Sequence, residues 1–118
     1  MKKFNIQAQL YTYNAIITGV YDGDTFTADI DLGLGIWKKG EKLRLAEVDT
    51  PEVRGAEREQ GILVRDHVKE LILNKKVVIQ TTLDKKGKYG RLIAEVYYDG
   101  DFPLSEYLVE NNMATWYA

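Results

Sequence analysis

Apolar and polar residues alternate along several short segments of this 118-residue chain, which predicts a mainly β structure. Alternation with a period of two places successive side chains on opposite faces, as in a half-buried strand. Aromatic and β-branched residues, which favour strands, are frequent in the first of these segments. The five predicted strands are residues 11–21, 25–32, 42–46, 77–83 and 91–98.

The pattern changes to helical spacing in two places. Residues 57–73 are predicted to form the main helix, because their apolar residues recur at i, i+4, i+7 and i+8 and so lie on one face. Residues 103–110 are predicted to form a short helix with Pro103 in its first turn. The irregular segments are a loose start at 1–10, a loop at 33–40, a turn at 84–90 and an apolar tail at 113–118.

This order of elements predicts a β-rich α+β fold. Three strands linked by turns precede the main helix, and two more strands precede the second helix. Five short, twisted strands close most economically into a barrel, because closure removes exposed edges. We therefore expect a five-stranded barrel of the oligonucleotide-binding type with two to three flanking helices, formed as one domain by residues 1–118.

Composition excludes several kinds of site. The chain has no cysteine and a single histidine, so it has no thiolate metal site, no disulfide and no multi-histidine zinc site. No apolar run approaches the roughly 20 residues of a membrane span. We expect a soluble protein, either cytoplasmic or secreted after removal of a signal that this chain does not contain. The formal charge of −2 gives no overall attraction to nucleic acid, so any polyanion site must be local.

Residues 44–52 are the segment around which the candidate chemistry is organised. They begin as a strand, but Pro51 removes a backbone donor and holds Thr50 in extended geometry. Asp49, Thr50 and Glu52 therefore lie where a strand ends and a rigid turn begins, which is a common location for sites. Taken alone, a turn with solvated acidic side chains is an equally good interpretation of this segment.

The acidic and basic residues near the predicted strand ends suggest phosphate chemistry. Without sulfur ligands, a bound metal would be a hard cation with oxygen ligands, which Asp24 and Asp49 can provide. Arg44 and Arg91 carry guanidinium groups that match a phosphate bidentately. Glu52 could act as a base on water. These residue types form a set for phosphoryl hydrolysis, although acids and arginines are common in any sequence.

The spacing of three motifs is more specific than the residue types. The motifs are Asp22-Gly23-Asp24-Thr25, the run from Arg44 to Glu52, and Lys88-Tyr89-Gly90-Arg91. Together they resemble the staphylococcal nuclease (thermonuclease) family over about residues 13–117. The resemblance implies an oligonucleotide-binding-type barrel and a Ca²⁺-dependent phosphodiesterase that acts on DNA and RNA and leaves 3′-phosphate ends.

The resemblance also implies a role for each residue of the motifs. The Ca²⁺ ligands would be Asp24, Asp49 and the carbonyl group of Thr50. The catalytic residues would be Arg44 and Arg91, which grip the scissile phosphate, and Glu52 as the general base. The substrate-binding residues would be Lys88, Tyr89 and, by a looser alignment, Tyr117.

A binding module without catalysis is the alternative function. Related domains serve as nucleic-acid- or protein-binding modules that keep the barrel but have lost catalytic residues. That interpretation predicts the replacement of Arg44, Glu52 or Arg91, and none of the three is replaced in this chain. The sequence therefore favours an active nuclease.

The proposed roles also make a geometric prediction. Strict alternation from Arg44 places Ala46 and Val48 on the same face and Asp49 on the opposite one. For Arg44 and Asp49 to face one phosphate, the strand must end or bulge between them.

Overall fold

Five strands form a closed sheet in this protein. A computed structural model describes residues 5–86 and 90–117. The strands are β1 (Thr12–Asp22), β2 (Thr25–Gly33), β3 (Ile36–Leu45), β4 (Val48–Asp49), β5 (Lys76–Lys86), β6 (Leu92–Tyr98), β7 (Phe102–Pro103) and β8 (Thr115–Trp116). The α-helices are α1 (Arg58–Ile72) and α2 (Leu104–Glu110), and short 3₁₀ turns cover Gln7–Gln9 and Gly55–Glu57.

A parallel pairing between β3 and β6 closes the barrel. The other neighbours, β3 with β2, β2 with β1, β1 with β5 and β5 with β6, are antiparallel. In the closing pair, Leu43 lies opposite Leu92 and Leu45 opposite Ala94. The predicted fold class, a β-rich α+β fold with a five-stranded oligonucleotide-binding-type barrel, is confirmed. Outside the barrel, β7 pairs antiparallel with the end of β6, and β4 pairs antiparallel with β8.

The alternation seen in the sequence places one face of every barrel strand inside. The two helices cover the barrel with the residues predicted for them: Val64, Val68 and Ile72 of α1 and Leu104 and Leu108 of α2 are buried. Asn74, at φ 60, lies in the left-handed conformation just after α1. The inward strand residues include Ala15, Ile17, Phe26, Ala28, Ile30, Leu43, Leu45, Val77, Ile79, Ala94 and Val96.

The prediction of a loop at residues 33–40 is wrong, because most of this segment belongs to β3. Only a tight turn separates β2 from β3, and the φ angles of Gly33, Leu34 and Gly35 there are 80°, 58° and 78°. Gly40, at φ 68, forms a bulge in β3 where its backbone N–H donates to Asp29 Oδ1 at 2.9 Å. The glycines therefore serve a turn and a bulge of one long hairpin, whereas composition alone suggested a loop.

Three other boundaries differ from the predictions. β5 continues to Lys86, whose backbone pairs with Leu92, so part of the predicted turn at 84–90 is strand. Pro103 is the N-cap of α2, with an extended backbone, and is not in its first turn. The predicted tail at 113–118 contains β8, which is too short for alternation to reveal it.

We predict that Leu43→Ala lowers the free energy of unfolding by about 2–5 kcal/mol, because it leaves a cavity where the barrel closes. Leu43 is fully buried between β2 and β6. The matched control is Leu63→Ala on the outer face of α1, where the side chain is 65% exposed and the change should stay within about 0.5 kcal/mol. Urea unfolding measures both, and equal losses would contradict this account of the core.

Candidate functional site

A cleft of about 820 Å³ opens where β1 and β3 end and the segment after β4 begins. Among the residues that the structure describes, its walls carry four acidic and four basic side chains, whose formal charges cancel. A bound divalent cation would leave the cleft net positive and attractive to an anion. The acidic residues are Asp22, Asp24, Asp49 and Glu52, and the basic residues are Lys42, Arg44, Arg54 and Arg91.

A tight turn between β1 and β2 positions Asp24. A Cβ atom on Gly23 would lie only 2.6 Å from Val64 Cγ1 and 2.9 Å from Thr50 Cγ2, so this turn requires glycine. Asp24 is buried, and its Oδ2 accepts a hydrogen bond from the backbone N–H of Thr50 at 2.9 Å. This bond ties the first turn to the segment that precedes Pro51.

The chain breaks between Arg44 and Asp49, as predicted. β3 ends at Leu45, β4 begins at Val48, and Glu47 between them has a φ of 67°. The break rotates Asp49 toward the face that carries Arg44. As a result, Arg44 Nη2 donates to Asp49 Oδ1 at 2.6 Å.

Arg44 links several parts of the cleft although its side chain is only 9% exposed. Its Nη1 donates to the carbonyl oxygens of Leu45 at 2.8 Å and Val48 at 2.7 Å, and it lies 3.4 Å from Asp24 Oδ2. With Asp49 on Nη2, one guanidinium contacts both carboxylates among the predicted metal ligands. These contacts fix its orientation and balance two closely spaced carboxylates.

The segment that ends with β8 brings Tyr117 into the same cleft. β8 pairs with β4, and the N–H of Tyr117 donates to the carbonyl oxygen of Glu47 at 3.0 Å. The Tyr117 hydroxyl then accepts a hydrogen bond from Arg44 Nη2 at 2.6 Å. The guanidinium carbon of Arg44 also lies 5.4 Å from the centre of the tyrosine ring, within cation–π range.

Arg91 and Glu52 occupy other parts of the cleft wall. Arg91 directly precedes β6, and its Nη1 donates to Thr25 Oγ1 at 3.4 Å. Glu52 is exposed, and its backbone N–H donates to Glu57 Oε1 at 3.3 Å. Glu52 therefore lines the cleft from a turn that Pro51 and the bond to Glu57 restrain.

Gly61 is a positioning residue that the sequence reasoning missed. It lies in α1 directly against the backbone of Glu52, and a Cβ atom there would overlap the Glu52 carbonyl group. Glycine inside a helix costs about 1 kcal/mol relative to alanine. A glycine inside a predicted helix is therefore the sequence signal that could have identified Gly61. The structure explains the glycine, because the backbone of Glu52 leaves no room for a Cβ atom at this position.

Asp22 is a further acidic residue that the sequence reasoning treated only as part of a turn. Burial, together with a hydrogen bond to Asp24 and the negative charge of that residue, raises the pKa of Asp22 to about 7 from its ordinary value of 3.8. Among the described residues, its Oδ1 and the Oγ1 of Thr50 are buried without hydrogen-bond partners. The signal was present in the Asp22-Gly23-Asp24-Thr25 motif, which places two acids two positions apart.

The structure brings seven of the nine predicted site residues to this cleft. They are Asp24, Arg44, Asp49, Thr50, Glu52, Arg91 and Tyr117. The other two, Lys88 and Tyr89, lie outside the described residues. The residues that line the cleft without having been predicted include Asp22, Lys42 and Arg54.

The donor set fits a hard divalent cation such as Ca²⁺. Asp24 and Asp49 offer carboxylate oxygens, and the unpartnered oxygen atoms of Asp22 and Thr50 lie at the same cleft. Among the side chains that the structure describes, no three His, Cys, Asp or Glu converge tightly enough to enclose a metal by themselves. Carbonyl oxygens and water would have to complete the coordination, which is usual for Ca²⁺.

Comparison with protein families identifies the chain. The model of the staphylococcal nuclease homologue family matches residues 42–118, about two thirds of the sequence. The chain belongs to the staphylococcal nuclease homologue family. Membership indicates a nuclease-type or nucleic-acid-binding module. The matched segment includes Arg44, Asp49, Glu52 and Arg91, whereas Asp24 precedes it. No curated protein matches the chain.

Among the described helices, none is both long enough and apolar enough to cross a bilayer. The longest, α1, has 15 residues and an exposed polar face.

The pH dependence of stability tests the environment of Asp22. Between about pH 4 and 7 the folded state keeps a proton that the unfolded chain has released, so stability should fall as the pH rises through this window. We predict that Asp22→Asn, which mimics the protonated side chain, removes this fall and stabilises the protein more at pH 8 than at pH 3.5. Urea unfolding with a chelator present measures the effect.

The control for this experiment is Asp101→Asn, which changes an exposed acidic side chain outside the cleft. Its pH dependence should follow the wild-type curve. If Asp22→Asn also follows that curve, Asp22 does not occupy the buried environment described above.

The contact between Gly61 and Glu52 yields a separate prediction. Gly61→Ala should destabilise the protein by about 1–3 kcal/mol, as expected for overpacking, despite the better helix propensity of alanine. The control is Gly19→Ala in β1, where a Cβ atom would meet Thr27 at an ordinary 3.6 Å. Thermal unfolding gives the stabilities, and amide NMR shifts of residues 52 and 53 report the displacement. Unchanged shifts together with a stabilised variant would refute this role.

Proposed function

We propose that this member of the staphylococcal nuclease homologue family is a Ca²⁺-dependent phosphodiesterase that hydrolyses DNA, RNA or both and leaves 3′-phosphate ends. One observation carries the proposal: a single cleft joins two carboxylates, two arginines and a further exposed carboxylate, with Arg44 in contact with both Asp24 and Asp49. Family membership supports the nucleic-acid substrate.

Asp24, Asp49 and the carbonyl oxygen of Thr50 are the residues that would hold the cation. When bound, Ca²⁺ supplies positive charge that polarises a phosphoryl oxygen. The hydrogen bond from the Thr50 N–H to Asp24 keeps this part of the turn beside the carboxylate.

The two arginines would bind the scissile phosphate and stabilise the charge that grows on its oxygens. Arg44 is buried and oriented by two backbone carbonyl groups, so its guanidinium is arranged before the substrate arrives. Arg91 reaches the cleft beside Thr25 from the start of β6. A bidentate guanidinium fits phosphate in a way that a lysine ammonium cannot reproduce.

Glu52 would accept a proton from the attacking water. The water oxygen forms a bond to phosphorus, and the bond between phosphorus and the 5′ oxygen breaks. The phosphate then remains on the 3′ end of one product, and the 5′ oxygen of the other takes up a proton to become a hydroxyl group. The restrained turn at Pro51 and the contact with Gly61 hold Glu52 at the cleft.

A nucleic-acid- or protein-binding module is the second candidate. One observation favours it: Arg44 Nη2 is engaged by both Asp49 and Tyr117 at 2.6 Å, so its contact with a phosphate requires an exchange of partners. The overall charge of −2 also provides little general attraction to a polyanion.

Digestion of single-stranded DNA and RNA with Ca²⁺ or with chelator, followed by end-group analysis, tests the proposal. We expect cleavage only with Ca²⁺ and products with 3′-phosphate ends. Products with 5′-phosphate ends would show that the other P–O bond breaks and would refute the mechanism. Binding without cleavage under both conditions would support the binding module.

The role of Glu52 gives a sharper prediction. Glu52→Gln keeps the size of the side chain but cannot accept a proton, so kcat should fall at least about a hundredfold while Ca²⁺ and substrate affinity change little. The matched control is Glu59→Gln in the first turn of α1, outside the cleft, with activity near wild type. Steady-state kinetics and equilibrium binding separate the two effects, and near-wild-type turnover in Glu52→Gln would remove Glu52 from the mechanism.

A further inference from the structure

The cleft extends beyond the side chains to which the proposed mechanism gives a role. Its wall also includes Tyr21, the second-last residue of β1, and Arg54, which lies between β4 and α1. At about 820 Å³, the cleft is large enough to hold a nucleotide as well as a metal ion. Tyr21 and Arg54 are therefore candidates for contacts with a part of the substrate other than the scissile phosphate.

The Tyr21 side chain points away from the barrel interior. Its neighbour Val20 is buried, whereas 53% of Tyr21 is exposed, as the alternation of a strand requires. An aromatic side chain that remains this exposed contributes little apolar burial to the fold. Packing of the core therefore does not account for an aromatic ring at this position on the cleft wall.

A guanidinium group lies over the Tyr21 ring. The guanidinium carbon of Arg54 is 6.0 Å from the ring centre, at the limit of the cation–π range. Arg54 is exposed and has an extended backbone, with φ −146° and ψ 167°. The pair thus presents an aromatic ring together with a planar guanidinium, and nucleic-acid bases stack on both kinds of group.

The charges around this pair favour a neutral flat group over a further phosphate. Asp22 directly follows Tyr21, and Glu52 and Glu57 lie two positions before and three positions after Arg54. The hydrogen bond from the Glu52 N–H to Glu57 Oε1 keeps the last of these acids in the same segment. One guanidinium does not outweigh these acids, so a phosphate gains little here. A nucleic-acid base is uncharged and gains from stacking alone.

We propose that Tyr21, with Arg54 over its ring, is the platform on which one unpaired base of a nucleic-acid strand stacks beside the scissile phosphate. The inference rests on the proposed nucleic-acid substrate, and it adds that the strand is single-stranded. Tyr21 precedes Asp24 by only three residues, so a base on its ring belongs to a nucleotide close to the metal site. In a duplex the bases are already paired and stacked, and freeing one of them is costly.

A purely structural use of the pair makes a different prediction. In that case the contact between Tyr21 and Arg54 would only hold the segment after Glu52 beside β1, and loss of the ring would weaken the binding of every ligand alike. Stacking instead makes the loss depend on whether the ligand has an accessible base. A strand without bases separates the two cases, because its phosphates are unchanged.

Fluorescence anisotropy in the presence of Ca²⁺ tests the proposal with three labelled DNA ligands. They are an ordinary single strand, an abasic single strand and a duplex, each of about 12 nucleotides per strand, within the range that one oligonucleotide-binding fold covers. All three have phosphorothioate linkages, which keep the negative charge and resist hydrolysis. Binding is then measured whether or not the protein cleaves DNA.

The test variant is Tyr21→Leu, which keeps an apolar side chain without a ring. It should bind the ordinary single strand about tenfold more weakly than wild type does, as expected for the loss of one stacked base. Its affinities for the abasic strand and the duplex should equal those of wild type. Tyr21→Phe, which keeps the ring, should bind all three ligands like wild type. Thermal unfolding should show that both variants remain folded, since more than half of Tyr21 is exposed.

Two control variants separate stacking from other effects. Phe102→Leu removes an aromatic ring that is 59% exposed in β7, outside the cleft, and should bind every ligand like wild type. Lys42→Gln removes a positive charge from the cleft wall. It should weaken the binding of the ordinary and the abasic strand by the same factor, because both have the same phosphates.

The outcomes separate this inference from the proposed function. Wild-type protein that binds none of the ligands would overturn both. Equal wild-type affinity for the ordinary and the abasic strand would overturn the stacking alone, as would a Tyr21→Leu variant that loses the same factor on both strands or on neither. An equal loss in Tyr21→Phe, or the same base-dependent loss in Lys42→Gln, would also overturn the assignment to the Tyr21 ring. The digestion described above tests cleavage independently.

Discussion

The buried guanidinium of Arg44 is the group on which the cleft depends. Two backbone carbonyl groups hold it, and it contacts carboxylates from two separate turns, at Asp24 and Asp49. Without that positive charge, the buried carboxylate of Asp24 would lose its ionic partner, and it would still lie on the same side of the cleft as the exposed carboxylate of Asp49. The Arg44 guanidinium therefore has two uses. It stabilises the carboxylates of Asp24 and Asp49, and its positive charge is also suited to bind a phosphate.

The closed barrel fixes where its strands end, and these strand ends position the charged residues of the cleft. β3 must pair with β6 to close the sheet, yet it must end at Leu45 for Asp49 to turn back toward Arg44. Closure also brings Arg91, at the start of β6, beside Thr25 at the start of β2. The positions of the arginines thus follow from strand ends that the closed sheet fixes relative to one another.

Local signals in the sequence predicted most of the strands, the main helix and the turns that carry Asp24 and Asp49. These elements have period-two or helical patterns, and their turns have marked Gly, Asp or Pro residues. The prediction of a loop at 33–40 was wrong because the glycines of this segment form a tight turn and a bulge within one hairpin. The contacts of Tyr117 with Arg44 and of Gly61 with Glu52 could not be derived locally, since each joins segments that only the complete fold brings together. Asp22 was visible in its motif, but only burial reveals its altered proton affinity.

The parallel pairing of β3 with β6 has a consequence for how the protein folds. Leu43 and Leu92 are separated by the main helix and all of β5, so their contact closes a long loop, whereas β1, β2 and β3 are joined by short turns. Long-range contacts carry a larger entropic cost and slow the folding reaction. The three-stranded meander can therefore form early, and Arg91 reaches Thr25 only when the ring of strands closes. A partly folded chain would already have the turn that carries Asp24 but not the complete cleft, which would form only in the last kinetic phase.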